Sequence, residues 1–381
     1  MTIPSRESIR NFFFLPREAL AKPNRLFFLD GFRSMALFFM VFTHGIKNWI
    51  SPASETPFSL FLKTFITRIP APSFFFLVGT SYILSRNARL RRGTSRNRAY
   101  LFYVRRSVVL FILAYVYKMV DVLFGARWED IRWTIDVLNI IAVSLFLVST
   151  WDFLTWRYRW NRFSYLPAAL FMIWISPYMF LLPLPSWLSQ QAAWYIQGMP
   201  PNAFFTVFPF SGYSFFGAFI VERLLQGDAE KPFLNLPPLF GGIVGLMTLA
   251  LVLSRLFDPL GTLAATTVFY MQAFALLLAG TLACNYFQKF VGFGPLLIVG
   301  THTMIGYWVH AKIVFIYYKR YIGVSDWNTM VWLLIKTYLA TFFILLIFDR
   351  LKRNWIARKR KAAGFAAPKN IDKTNKKEYF S

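Results

Sequence analysis

The sequence predicts an all-α integral membrane protein, a single polytopic bundle of about ten transmembrane helices with both termini in the cytoplasm. Three observations predict it: the composition, the recurrence of long apolar runs, and the placement of the basic residues. Of the 381 residues, 56% are hydrophobic and 15% are charged, whereas soluble domains carry about 25% charged residues. Too little polar surface is left to coat a water-soluble globule, so much of the chain is expected to lie in lipid.

Long apolar runs recur along the whole chain. A hydrocarbon core of about 30 Å requires roughly 20 apolar residues in a helix. Runs such as 236 to 254 are apolar on every face, which favours helices over alternating strands. The predicted spans are 27 to 47, 69 to 86, 104 to 121, 134 to 150, 164 to 183, 203 to 222, 236 to 254, 263 to 284, 296 to 318 and 328 to 349.

The basic residues give the predicted orientation. A net charge of +25 in a soluble protein would suggest nucleic acid. Here Lys and Arg flank the apolar runs, where they orient membrane helices, so no nucleic-acid partner is predicted. The N-terminal segment, the loops 87 to 100 and 151 to 162, and the C-terminal segment are rich in Arg and Lys and are expected in the cytoplasm. The loop 184 to 202 carries no charge and fits the opposite side.

No linker divides the chain, so the sequence predicts one membrane domain. Its parts are a basic cytoplasmic segment at 1–26, a transmembrane domain at 27–349 and a basic cytoplasmic tail at 350–381. The single cysteine, Cys284, excludes an intramolecular disulfide. Three separated histidines and the lack of an acidic cluster predict no metal site.

The first predicted helix carries three polar residues, Asp30, Arg33 and His44, at a depth where charge is costly. Asp30 and Arg33 are neighbours on one helical face, so their pairing would lower the cost of burying both. Arg33 and His44 are eleven residues apart, which places them on one stripe about 16 Å apart along the axis. We therefore expect Arg33 near the cytoplasmic side and His44 near the opposite side.

This Arg-to-His spacing, within the stretch from Leu29 to His44, resembles the first helix of the integral-membrane acyltransferase superfamily. Its relevant branches are acyltransferase family 3 and the heparan-alpha-glucosaminide N-acetyltransferase-like proteins. Ser34 departs from the pattern, because the superfamily usually has Gly there. Five further stretches resemble the superfamily in the same order: 74–85, 103–106, 136–142, 208–213 and 305–310.

The resemblance implies an acyltransferase that takes an acyl group, with acetyl expected, from cytoplasmic acyl-CoA. The acceptor would be a hydroxyl or amine of a glycan or glycolipid on the far side of the membrane. His44 is the candidate general base, since an imidazole can take the acceptor proton, and His310 is its candidate partner. Arg33, Arg105 and Arg106 are the candidates for contacts to the CoA phosphates. We expect a multi-pass protein of the bacterial inner (plasma) membrane.

Other interpretations remain open at this point. Arg105 and Arg106 fit simple positive-inside anchors, His44 an interfacial polar residue, and His310 a packing residue. For four further polar residues a structural role is favoured: His302, Asp136, Lys312 and Lys336. The alternative function is a polytopic transporter or flippase for a polar or lipid-linked substrate. Such a protein needs polar residues at the midplane, often with broken helices. The oligomeric state is left open.

Overall fold

The computed structural model describes residues 27–66, 69–125, 127–128, 134–158, 161–185, 187–198, 203, 205–224, 272–281 and 294–362, together with isolated positions between 241 and 283. Over these residues the chain is helical, and the only β pairing consists of two isolated bridges. The predicted all-α class is therefore confirmed.

Twelve α-helices are labelled in chain order within the described residues. They are α1 (Phe27–Asn48), α2 (Pro57–Ile66), α3 (Pro70–Arg91), α4 (Arg96–Leu123), α5 (Val137–Thr155), α6 (Asn161–Leu181), α7 (Gln190–Gln197), α8 (Val207–Leu224), α9 (Gln272–Thr281), α10 (Gly294–Thr301), α11 (Thr303–Lys312) and α12 (Trp327–Ala362). A π-helical turn, Ile313–Tyr317, follows α11, and short 3₁₀ turns lie at Pro52–Ser54 and Lys319–Tyr321.

Three of these helices are long and apolar enough to cross a membrane: α4, α5, and α12 over Trp327–Lys359. Three shorter apolar helices are Phe163–Met179, Val207–Glu222 and Gln272–Thr281. Together with the basic flanks, these helices make the chain a multi-pass helical membrane protein. The count of ten spans and the cytoplasmic placement of both termini stay predictions.

Several predicted spans differ from the helices in the structure. The predicted helix 296 to 318 was wrong in its continuity, because the chain breaks at His302 and changes to a π-turn at Ile313. Helix α3 runs to Arg91, so it extends past the predicted end at 86 into the predicted loop 87 to 100. Helices α2 and α7 were not predicted. The span 236 to 254 and most of 263 to 284 lie outside the described residues.

Close backbone contact joins α3 to α8. A Cβ atom at Gly79 would lie 1.7 Å from the carbonyl oxygen of Ser214, and one at Gly217 would lie 2.1 Å from that of Phe76. Small residues let membrane helices approach in this way, and the contact gains van der Waals energy along both backbones. A hydrogen bond also joins α3 to α8: the Ser214 hydroxyl donates to the carbonyl oxygen of Phe75 at 2.8 Å.

A buried ionic cluster ties α3 to α5, α6 and α8. Arg86 donates to Asp152 Oδ1 at 2.6 Å and to Glu222 Oε2 at 2.7 Å. Asp152 also accepts from the hydroxyls of Tyr82 at 2.7 Å and Tyr165 at 2.6 Å. Each charge in this group, the Arg86 cluster, is paired and hydrogen-bonded, as burial of charge requires. The cluster fixes the ends of four helices next to the cavity described below.

Candidate active site

A cavity of about 410 Å³ lies between α3, α4, α5 and the α10–α11 segment, with one residue from α1. On α4 its lining residues are Tyr103, Arg106 and Leu110, which share one helical face at spacings of three and four. The lining residues on the other helices are Arg33, Phe74, Leu77, Val78, Ser81, Tyr82, Val137, Leu138, Ile141, Leu145, Gly300, Thr301, Thr303, Met304 and Tyr307.

The contacts of α1 with α10 and α11 give the cavity a direction. A Cβ atom at Gly300 would meet the Asp30 backbone, and one at Gly306 would meet the Leu37 side chain. Further along, the rings of His44 and His310 lie 5.5 Å apart. The residue numbers rise together, so α1 and the α10–α11 segment run in parallel. The level of Arg33 and the level of His44 are separated by about 16 Å along α1.

Helix α4 runs in the same direction beside them. The ring of Tyr117 lies 6.0 Å from that of Tyr307, and Lys312 pairs with Asp121. Arg106 precedes Tyr117 by eleven residues, so it lies about 16 Å toward the level of Arg33. The cavity therefore has a basic end, which we define by Arg33, Ser81, Tyr82, Tyr103 and Arg106. Its histidine end is defined by Asp136, Tyr307, His310 and His44.

Arg33 is held at the basic end by two contacts. Its guanidinium pairs with Asp30 at 2.8 Å and donates to the Ser81 hydroxyl at 2.6 Å. The predicted pairing of Asp30 with Arg33 is thus present, and Arg33 also lines the cavity. Arg106 lines the cavity and is exposed, whereas its neighbour Arg105 is exposed and is not among the lining residues.

Four side chains meet at the histidine end. The Tyr307 hydroxyl donates to Asp136 Oδ1 at 2.9 Å, and the Tyr307 ring lies 5.6 Å from that of His310. His310 is fully buried, and the half-buried His44 lies between it and Phe315, whose ring is 5.0 Å away. The structure therefore brings the two predicted catalytic histidines together. Tyr307 connects them to the cavity, because it alone of these residues is on the cavity wall.

One hydrogen bond fixes the tautomer of His310. Its Nδ1 lies 2.9 Å from the carbonyl oxygen of Gly306, one turn earlier in α11. A carbonyl only accepts, so Nδ1 must carry the proton and Nε2 of the neutral ring is left with a lone pair. That Nε2 is buried and has no hydrogen-bond partner among the described residues. A buried, oriented acceptor next to Tyr307 of the cavity wall is suited to work as a general base.

Helix ends position this group. Asp136 caps α5, accepting from the Val137 amide at 2.6 Å, while its own amide donates to Asn139 Oδ1 at 3.0 Å. This capping box fixes the carboxylate that holds Tyr307. The π-turn that follows α11 places Phe315 against His44, and such turns are frequent at functional sites.

Lys312 and His302 have partners that the sequence did not reveal. Lys312 pairs with Asp121 and lies 3.6 Å from the ring centroid of Tyr117. His302 Nε2 lies 3.0 Å from Asp349 Oδ1 on α12, which also pairs with Arg353 at 2.7 Å. These contacts join helices, so they fit the structural roles expected for both residues. Lys336 is exposed on α12.

Sequence reasoning missed Tyr103, Ser81 and Tyr307 as site residues and gave Asp136 a structural role. The spacing of Tyr103, Arg106 and Leu110 was an available signal, but it identifies a shared face without indicating what that face meets. Among the described residues, no group of three His, Cys, Asp or Glu side chains is placed to hold a metal ion.

The fold and site define a class of protein: a helical membrane protein in which an internal cavity runs from a cationic end to Tyr307, whose ring lies beside one of two neighbouring histidines. The comparisons with known proteins agree. The family described as "Heparan-alpha-glucosaminide N-acetyltransferase, catalytic" matches residues 25–240, which is more than half of the chain. The chain belongs to this family.

A curated relative gives a more limited match. Heparan-alpha-glucosaminide N-acetyltransferase of Mus musculus is 29% identical over 157 residues, which is 40% of this chain and 23% of the mouse protein. The matched region thus spans about a quarter of that relative. The match supports the family, and the activity of the whole mouse protein enters below only as a proposal.

Proposed function

We propose that this protein is a membrane acetyltransferase. It takes an acetyl group from cytoplasmic acetyl-CoA and transfers it to a hydroxyl or amine of a glycan or glycolipid on the far side of the membrane. The observation that carries the proposal is the cavity itself, which connects Arg33 and Arg106 to Tyr307, the residue in contact with His310. Family membership supports the reaction class.

The cavity wall matches the chemistry of the donor. Guanidinium groups at the basic end suit the phosphates of CoA. The wall between the two ends is largely apolar and suits a narrow, uncharged acyl-pantetheine arm: Leu77, Val78, Leu110, Leu138, Ile141 and Met304 line it. With its phosphates at the basic end, such a donor would extend its thioester toward Tyr307. The positive-inside charge pattern supports a cytoplasmic position for the basic end.

The proton transfer uses the histidine end. His310 Nε2 accepts the proton of the acceptor hydroxyl or amine as the acceptor oxygen or nitrogen bonds to the acetyl carbon. The carbon–sulfur bond of the thioester breaks, and the CoA sulfur leaves and takes up the proton. In this scheme His310 is the base because its tautomer is fixed by Gly306. We assign to His44, the base expected from the sequence, the role of orienting the acceptor, because its ring lies 5.5 Å from that of His310.

The experiment uses the purified chain in proteoliposomes with acetyl-CoA and release of free CoA thiol as the readout. Glucosamine offers an amine and hydroxyls, whereas glucose offers hydroxyls alone. Thiol release with glucosamine only would indicate N-transfer, and release with both would indicate O-transfer. The matched control is His310→Asn, which retains a donor for the Gly306 carbonyl and lacks the Nε2 lone pair.

One outcome would overturn the proposal. If glucosamine crosses the bilayer at the same rate with and without acetyl-CoA, and no acetylated sugar forms, the protein is a transporter.

A further inference from the structure

One polar atom in the cavity wall has no role in the reaction described so far. Tyr103 is 1% exposed, lines the cavity, and its hydroxyl has no hydrogen-bond partner among the described residues. Buried hydroxyls are nearly always satisfied, because an unmade hydrogen bond costs about 1–3 kcal/mol. An orphan of this kind at a cavity suggests a ligand atom as the missing partner.

The neighbours of Tyr103 indicate which ligand group that partner is. Arg33 is neutralised by Asp30, so the buried part of the basic end carries no unpaired cation. Arg106 is exposed one turn further along α4 and has no ion pair in the described part of the chain. The exposed guanidinium of Arg106 therefore suits a phosphate. The buried, neutral hydroxyl of Tyr103 suits a neutral acceptor, such as an amide carbonyl.

Tyr103 is itself held in place. Its ring lies 4.7 Å from that of Tyr82 in an edge arrangement, and the Tyr82 hydroxyl donates to Asp152 Oδ2 at 2.7 Å. Asp152 is fixed by Arg86 and by Tyr165. The Arg86 cluster thus extends to the cavity wall through Tyr82, whose ring holds Tyr103 in one orientation. Tyr165 contacts the same carboxylate but is not among the lining residues.

We infer that the Tyr103 hydroxyl donates a hydrogen bond to a pantetheine amide carbonyl of the donor, and that Tyr82, anchored on Asp152, is the positioning residue for Tyr103. The inference rests on the proposed function, because it requires the donor to occupy this cavity. It adds a specific contact to the neutral arm of the donor and separates that contact from the phosphate contact of Arg106.

Two donors distinguish the two contacts. Acetyl-CoA carries the phosphates, whereas S-acetylpantetheine carries the same amides and thioester without them. We expect Tyr103→Phe to raise the dissociation constants of both donors by about 2- to 10-fold, the loss of one neutral hydrogen bond. Arg106→Ala should weaken acetyl-CoA binding and leave S-acetylpantetheine unchanged. Tyr338→Phe is the matched control and should leave both constants unchanged, because the Tyr338 hydroxyl donates to the carbonyl oxygen of Phe38 at 2.7 Å and Tyr338 is not among the lining residues.

The role of Tyr82 is tested by a double-mutant cycle. Tyr82→Phe alone should weaken both donors, but it should add nothing to the effect of Tyr103→Phe, since it acts through that residue. Additive effects in the double variant would overturn the positioning role. A Tyr103→Phe variant that binds both donors normally, or loses affinity for acetyl-CoA alone, would overturn the amide contact.

The two proposals fail in different ways. If the wild-type protein binds neither donor, the proposed function falls and this inference falls with it. If the wild type binds both donors and only the Tyr103 result is contrary, the acetyltransferase proposal stands and the amide contact is wrong. Thermal unfolding of each variant in detergent identifies any loss of binding that results from misfolding.

Discussion

The Arg86 cluster and the histidine end are both buried and polar, yet their hydrogen bonding differs. In the cluster, the Asp152 carboxylate accepts from Arg86, Tyr82 and Tyr165. At the histidine end, His310 Nε2 is buried and has no partner among the described residues. A saturated network stabilises a fold, whereas an unsatisfied atom next to a residue of the cavity wall is a candidate for contact with a substrate. The difference distinguishes structural from functional polar groups in one molecule.

His310→Asn should have the largest effect on activity. Loss of a positioned general base costs about 10²- to 10⁴-fold in turnover. The Asn side chain can still donate to the Gly306 carbonyl, so the unfolding midpoint should change little. Turnover of purified protein at saturating donor is the measurement. Near wild-type turnover in a folded variant would remove His310 from the base role. His44→Ala, measured in parallel, would then test the base expected from the sequence.

Arg86→Met should have the largest effect on stability. It leaves the carboxylates of Asp152 and Glu222 buried together without their cation, which costs about 3–5 kcal/mol. Thermal unfolding in detergent measures the loss. The matched variant also carries Asp152→Asn and Glu222→Gln, which remove both charges and should recover much of the stability. If Arg86→Met is as stable as the wild type, the cluster is not a structural tie.

Tyr307→Phe tests the bridge between the two regions. It removes the hydroxyl that donates to Asp136 and keeps the ring beside His310. We expect a loss of about 10- to 100-fold in kcat with little change in donor KM, because the loss of one hydrogen bond to a charged group is worth about 1.5–3 kcal/mol and each 1.4 kcal/mol is tenfold in rate. A rise in donor KM with unchanged kcat would instead place Tyr307 in donor binding.

Lys312→Met should have the smallest effect. The pair with Asp121 is partly exposed, with side-chain exposures of 19% and 29%, and solvent screens such pairs. We expect less than about 1 kcal/mol in stability and turnover close to wild type. A large loss of turnover, with the fold intact, would extend the functional region from His310 to the end of α4.

Particular residues mark how far sequence reasoning reached. The spacing of Arg33 and His44 pointed to two levels of one helix, and the structure has Arg33 in the cavity wall near the start of α1 and His44 near its end. The family motif pointed to His310, whose ring lies 5.5 Å from that of His44. The pairing of Asp30 with Arg33 followed from their separation of three residues. The roles of Asp136 and Arg86 did not follow, because their partners lie 171 and 66 residues away in the chain.

The sequence by itself determined the helical class, the membrane setting and the family resemblance, because composition and apolar run length act locally and depend little on distant partners. Only the tertiary structure decided where the cavity lies and that Arg86 is a structural tie. It also decided that, among the described residues, His310 Nε2 and the hydroxyl of the cavity residue Tyr103 have no hydrogen-bond partner. Those properties depend on which helix faces meet, and on which atoms remain unpaired after they meet. No local periodicity encodes that, since helical spacing defines a face but not its neighbour.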